Sequence, residues 1–179
     1  MSSLNNKNLA MRNARLTRLA LLTAMGLVLF LFESLIPRPL PWLKPGLAHV
    51  ATLIALYLMG IPEALVVVVL RVIMGSLLLG SLLNPAFILS LGGGIAATLA
   101  MGLASRFGPK VFSIFGISIL GAAVHNFAQL WLVQILIVKQ AEIFYLAPMM
   151  ILSSLFTGFV VALLAHLLIQ QAAMIFPTR

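Results

Sequence analysis

Few side chains in this chain of 179 residues can do chemistry, and most of those lie inside apolar runs. Cysteine and aspartate are absent; glutamate occurs three times (Glu33, Glu63, Glu142) and histidine three times (His49, His125, His166). No thiol nucleophile, disulfide or thiolate metal site can form. The remaining candidates are polar groups embedded in hydrocarbon-like sequence: Glu33, His49, Arg71, Asn84, His125, Asn126 and Gln129. Each costs free energy at membrane depth unless it is paired or wet, so their presence is a signal. Arg71 is the natural electrostatic centre, because its planar fork suits carboxylate or phosphate oxygens. Asn126 and Gln129 offer directional hydrogen bonds, and His125 and Gln129 are one helical turn apart on one face. Lys44 in a Pro-Gly loop adds a second cation, and Gly92, Gly93 and Gly94 would let a ligand approach backbone. That triplet is not a phosphate loop, since it lacks the preceding strand and the Lys-Ser/Thr pair. Arg71, His125, Asn126 and Gln129, with Lys44, Asn84 and the Gly92–Gly94 segment, are expected to form one pocket in the outer half of the bundle.

Each residue also has a plainer reading. Arg71 can pair with Glu33 or Glu63, and His125 and Asn126 can bond across helices without meeting a ligand. Glu63 suits the start of a helix, where a carboxylate opposes the dipole. Lys44 can simply be solvated. The three histidines fall at different expected depths, which argues against a zinc site.

Composition says what must position these groups. The chain is 63% hydrophobic and 8% charged, with a mean hydropathy of +1.18. A soluble domain runs near 45–50% apolar and about 25% charged, so the solvent for most of this chain is lipid. A soluble enzyme and a disordered tail are excluded. The net charge of +8 does not indicate nucleic acid. Four cations (Lys7, Arg12, Arg15, Arg18) precede the first apolar run and most others flank later ones, which is how topology and headgroup signals are placed.

The run lengths predict an all-α, six-helix transmembrane bundle. Residues 1–18 form a basic cytoplasmic segment, and 19–175 form the membrane domain with helices near 19–36, 47–59, 62–79, 85–105, 111–138 and 143–170. The first run is too long for a signal-peptide core and is followed by Pro37-Arg38-Pro39 rather than a cleavage site, so it reads as a retained helix. Four prolines between residues 37 and 46 break the chain after it, and Trp42 there suits the headgroup level. Gly92, Ala96, Ala100 and Ala104 form a small-residue ridge suited to internal packing, as do Ser118 and Ala122, while Ala20 and Ala24 share a face of the first helix.

Several stretches taken in order resemble a known family: Lys44-Pro45-Gly46-Leu47-Ala48; Leu70-Arg71 leading to Gly75-Ser76-Leu77-Leu78-Leu79-Gly80; Asn84-Pro85-Ala86-Phe87 with Gly92-Gly93-Gly94; and Gly121-Ala122-Ala123-Val124-His125-Asn126 with Gln129. Over about residues 16–170 the chain resembles the bacterial membrane family called heptaprenyl diphosphate synthase component I, or the Gx transporter family. That family looks related to the substrate-binding S components of energy-coupling factor (ECF) transporters. The resemblance implies a pocket open to the outside of the inner membrane. It also implies that Ala20 and Ala24 dock a transmembrane coupling subunit, with ATPases as further partners. A second setting implied by the resemblance is flavin- or quinone-linked extracellular electron transfer beside a NusG-like-domain membrane partner, with a bound flavin, quinone or prenyl-type ligand. Prenyl diphosphate condensation itself needs aspartate-rich clusters to hold magnesium, and this chain has no aspartate. A non-catalytic binding subunit is therefore expected, without nucleic acid or metal. No Walker motif is present, so any transport must draw energy from a partner.

With the N terminus inside, seven cations lie on the cytoplasmic side (Lys7, Arg12, Arg15, Arg18, Arg106, Lys110, Arg179) and three outside (Arg38, Lys44, Lys139), in keeping with the positive-inside rule. Reporter fusions at residue 108 and at the C terminus should both read cytoplasmic; an external signal at either sinks this topology.

Overall fold

The computed structural model describes residues 2–36, 46–107 and 111–175. Lys44 and Trp42 therefore lie outside the described residues, as do Arg38 and Lys110. The described chain is helical: α1 (Ser2–Leu35), α2 (His49–Leu58), α3 (Ile61–Leu78), α4 (Pro85–Arg106), α5 (Ile114–Val133) and α6 (Ala147–Ile175). Five of the six are long and apolar enough to cross a membrane, and α2 is the exception. At 1.5 Å per residue α3 is ~27 Å long, close to a hydrocarbon core, whereas α2 is only ~15 Å.

Packing follows from that difference. The long helices neighbour one another in the order α1–α3–α4–α5–α6, and α2 packs against α1, α3, α4 and α6. Every residue from Val50 to Leu56 is buried, so α2 is the central element and has no lipid-facing stripe. A tight turn returns the chain into α3. Gly60 there has φ +109°, a conformation open to glycine, and its N–H donates to the carbonyls of Ala55 and Leu56. Pro62 follows in the first turn of α3, where a missing N–H is harmless.

Three boundaries differ from the sequence reading. The helical start is Ser2 rather than residue 19, because the basic segment continues α1 as a 34-residue rod. The fifth helix changes at Gln134 into a π turn that ends at Val138, where Lys139 takes a left-handed conformation and its N–H donates to the Gln134 carbonyl. The sixth begins as a 3-10 turn (Ala141–Leu146), with Pro148 in the first turn of α6 instead of mid-helix.

Contacts between the long helices depend on missing side chains. A Cβ on Gly158 of α6 would sit 2.6 Å from the Ile119 Cα of α5, and one on Gly121 of α5 would sit 2.6 Å from Met101 of α4. Where lipid supplies no hydrophobic drive between helices, such approaches supply the packing. The buried small residues of α4 are Ser90, Gly93, Gly94, Ala97, Thr98, Gly102 and Ala104. The expected ridge of Gly92, Ala96, Ala100 and Ala104 is thus rotated by about one residue, and its first three members are only half-buried.

Gly158→Val should lower the melting temperature of the detergent-solubilised protein, with a loss of about 1–3 kcal/mol from overpacking. Gly116→Ala, whose Cβ would meet nothing nearer than 3.6 Å, should leave it unchanged or slightly raised. Equal effects would mean that helix propensity, not close approach, sets the outcome.

Candidate binding site

Arg71 projects from the middle of α3 and is only 2% exposed. Its stem is seated by a missing side chain on α1: a Cβ at Gly26 would lie 3.1 Å from Arg71 Cδ and 3.1 Å from Ala51 Cβ of α2. Glu33, two turns further along α1 and equally buried, is the carboxylate that acts electrostatically on it. Arg71 Nε has no hydrogen-bond partner, although the atom is fully enclosed. Glu63 is not the counter-charge, since it pairs with Arg15. An arginine at a helix centre in lipid costs about 2.5–3.5 kcal/mol on insertion scales, which explains why four helices surround this one.

The short α2 decides what else reaches the site. Its first residue, His49, meets the His125 ring of α5 edge-on, with centroids 4.5 Å apart. The sequence reading put His49 at a different depth from His125. A ten-residue helix whose far end reaches the Gly60 turn must begin near mid-span, so the two rings share one depth. Glu33 Oε1 accepts from the Ala48 N–H at 3.2 Å, supplying one of the amide partners that the start of α2 needs.

Two small cavities adjoin the histidine pair and share Gly46, His49 and His125. One, about 10 Å³, is further lined by Phe30, Glu33, Arg71, Val72 and Ser90. The other, about 20 Å³, runs between α5 and α6 past Ser118, Asn126, Thr157 and Gly158. Each is about the room that one water needs. Neither cavity has room for a larger molecule as it stands.

The sequence-predicted residues divide accordingly. Arg71 and His125 are brought together in the first cavity's lining. Gln129 is 1% exposed, and its Oε1 has no hydrogen-bond partner. Gly93 is the seat for this pair: a Cβ there would lie 2.9 Å from the His125 ring and 3.0 Å from Gln129 Cγ. Gly92 and Gly94 face Leu132 and Val68 instead, so they admit side chains of this chain. Asn126 turns towards α6, donating to the Ser154 hydroxyl at 2.8 Å and the Met150 carbonyl at 3.1 Å. Asn84 is an exposed N-cap of α4 that accepts from the Ala86 N–H at 3.1 Å. Ala20 and Ala24 lie exposed on α1.

Glu33, His49 and Ser90 line the first cavity but lay outside the expected pocket set. Glu33 and His49 carried the signal of polarity in an apolar run; Ser90 carried none, since serine is common in membrane helices. Among the described residues no group of three His or Glu could hold a metal. His166 sits apart, with its Nε2 3.0 Å from Gln170 Nε2.

The fold and the site together define an all-helical, membrane-associated protein with a charged and imidazole-bearing interior. The family model described as heptaprenyl diphosphate synthase component I matches residues 22–168, and the chain belongs to that family. Comparisons with curated proteins and with solved structures found no match.

Asn126→Ala should destabilise the protein by about 0.6–2 kcal/mol, the range for hydrogen bonds between membrane helices. Ser154→Ala in the same background should add less than it does alone. Strict additivity in thermal unfolding would show that the α5–α6 bond contributes nothing.

Proposed function

We propose that this protein is a membrane-embedded binding subunit that captures a small anionic or amphipathic molecule from the outer side, with both termini cytoplasmic. In this reading it acts like the S component of an ECF-type transporter, and a coupling subunit with its ATPases supplies the energy. The observation that carries it is Arg71: an enclosed guanidinium at mid-span, with an unpartnered Nε, facing a cavity beside two imidazoles. A purely structural ion pair would be expected to satisfy the guanidinium by direct contact, yet among the described residues Arg71 has no carboxylate in ion-pair contact. Arg71 supplies the charge, while Gln129 and His125 supply hydrogen bonds to the ligand. Gly93 seats the His125 ring and Gln129 beside it, and the sequence offers Lys44 as a second cation. The exposed Ala20 and Ala24 form a flat strip on α1 where a coupling helix can lie close.

The family description favours a second reading, in which the chain is a non-catalytic membrane subunit of prenyl diphosphate or quinone synthesis and the anion is a diphosphate. A flavin or quinone ligand and a NusG-like-domain partner would belong to a related electron-transfer role. Deletion that alters the quinone pool without affecting uptake favours these over transport.

Native mass spectrometry of the purified protein tests the site directly. Wild type should carry a co-purifying small molecule, and Arg71→Gln should lose it by more than about tenfold, as expected when a buried charged hydrogen bond worth about 2–5 kcal/mol is removed. Arg71→Lys should restore it poorly. If Arg71→Gln lowers the melting temperature and leaves the adduct in place, the arginine is structural.

A further inference from the structure

A second polar feature lies far from the cavities, at the end of the bundle where α2 turns into α3. A groove of about 310 Å³ is lined there by Met11, Ala14, Arg15 and Arg18 of α1 against Leu58, Met59 and Glu63. Arg15 Nη2 donates to Glu63 Oε1, fastening the basic extension of α1 to the start of α3. The Arg15 side chain nevertheless remains two-thirds exposed, and Glu63 is nearly buried. A guanidinium has five N–H donors, so this contact leaves Arg15 most of its donors. Arg18, one turn on, is exposed.

The depth of the groove is set by α3. Glu63 is the third residue of that apolar helix, so the groove lies where hydrocarbon meets headgroups. Tyr57, exposed beside it on α2, is a residue type that favours that level. Apolar surface continues from the groove along α1 through exposed Leu21 and Val28. Two guanidiniums above methionine and leucine walls, opening onto a lipid-facing strip, match one chemistry: a phosphate with acyl chains attached.

We infer that the groove between the α1 extension and the α2–α3 turn is a binding site for an anionic phospholipid, whose phosphate is held by Arg18 and the open donors of Arg15. A partner protein would have no need of the acyl-sized strip below, and a free phosphate would leave the methionine walls uncovered. Bound lipid joins α1 to the α2–α3 turn through a second bridge beside Arg15–Glu63.

The test uses the full-length protein in nanodiscs of equal phosphatidylglycerol and phosphatidylcholine, with retained lipid counted by native mass spectrometry. Phosphatidylglycerol should be retained preferentially. Arg18→Gln should reduce its retention about fivefold, as expected for losing one cation at the surface. Arg12→Gln, which removes a charge outside the groove, should change it less than twofold, and Arg18→Lys should keep most of it. Equal retention of the two lipids overturns the inference, as does an equal loss in Arg12→Gln, which would mean diffuse attraction. Displacement by millimolar inorganic phosphate would identify a soluble anion instead. Retention unaffected by Arg18→Gln leaves the groove to another occupant and also overturns the inference.

Discussion

Hosting one positive charge at the centre of an apolar bundle is the constraint on which this structure depends. Arg71 can be held there only if backbones come close enough to exclude lipid and a carboxylate sits within electrostatic reach. Gly26 meets the first requirement and Glu33 the second. Both lie on α1, which makes α1 and α3 obligatory neighbours. Ala51 closes the same contact from α2, so the three helices meet around a single side chain. Removing the charge would relieve the cost of burial and change the field at Glu33, so mutation at either end should be felt at both.

The glycines divide the work between packing and the site. Gly121 and Gly158 bring α4, α5 and α6 together, whereas Gly93 makes room for the His125 ring and for Gln129. The same device, an absent side chain, thus sets helix spacing in one place and imidazole position in another. Asn126 shows the converse. It is a polar residue next to the site in sequence that contributes by tying α5 to α6.

Much of the fold was legible because lipid is an exacting solvent. Run lengths located all six helices, and proline and glycine marked the turns at Gly60 and Pro85. Rotation about each helix axis was not legible, because the outside of a membrane helix is as apolar as its inside. That is why the α4 ridge was read one residue off, and why the helix that receives the Asn126 bonds could not be named in advance. Depth was misjudged at His49 for a different reason. A short apolar run does not say at which end it falls short, and only the packed structure places its start at mid-span. Arg71 and His125 were recognisable from the cost of polarity alone, whereas Ser90 and Ser118 carry no comparable mark.

The half-length of α2 has an electrical consequence. A helix that begins at mid-span brings the positive end of its dipole, roughly half an elementary charge, into the least polarisable part of the bundle. The Ala48 amide and the Arg71 guanidinium therefore give the interior a positive bias before any ligand is considered. Glu33 offsets part of that bias from within the chain, with one oxygen on the amide and its charge acting on the guanidinium. An incoming anion would therefore meet a field already partly balanced, and its affinity would depend on how far Glu33 yields.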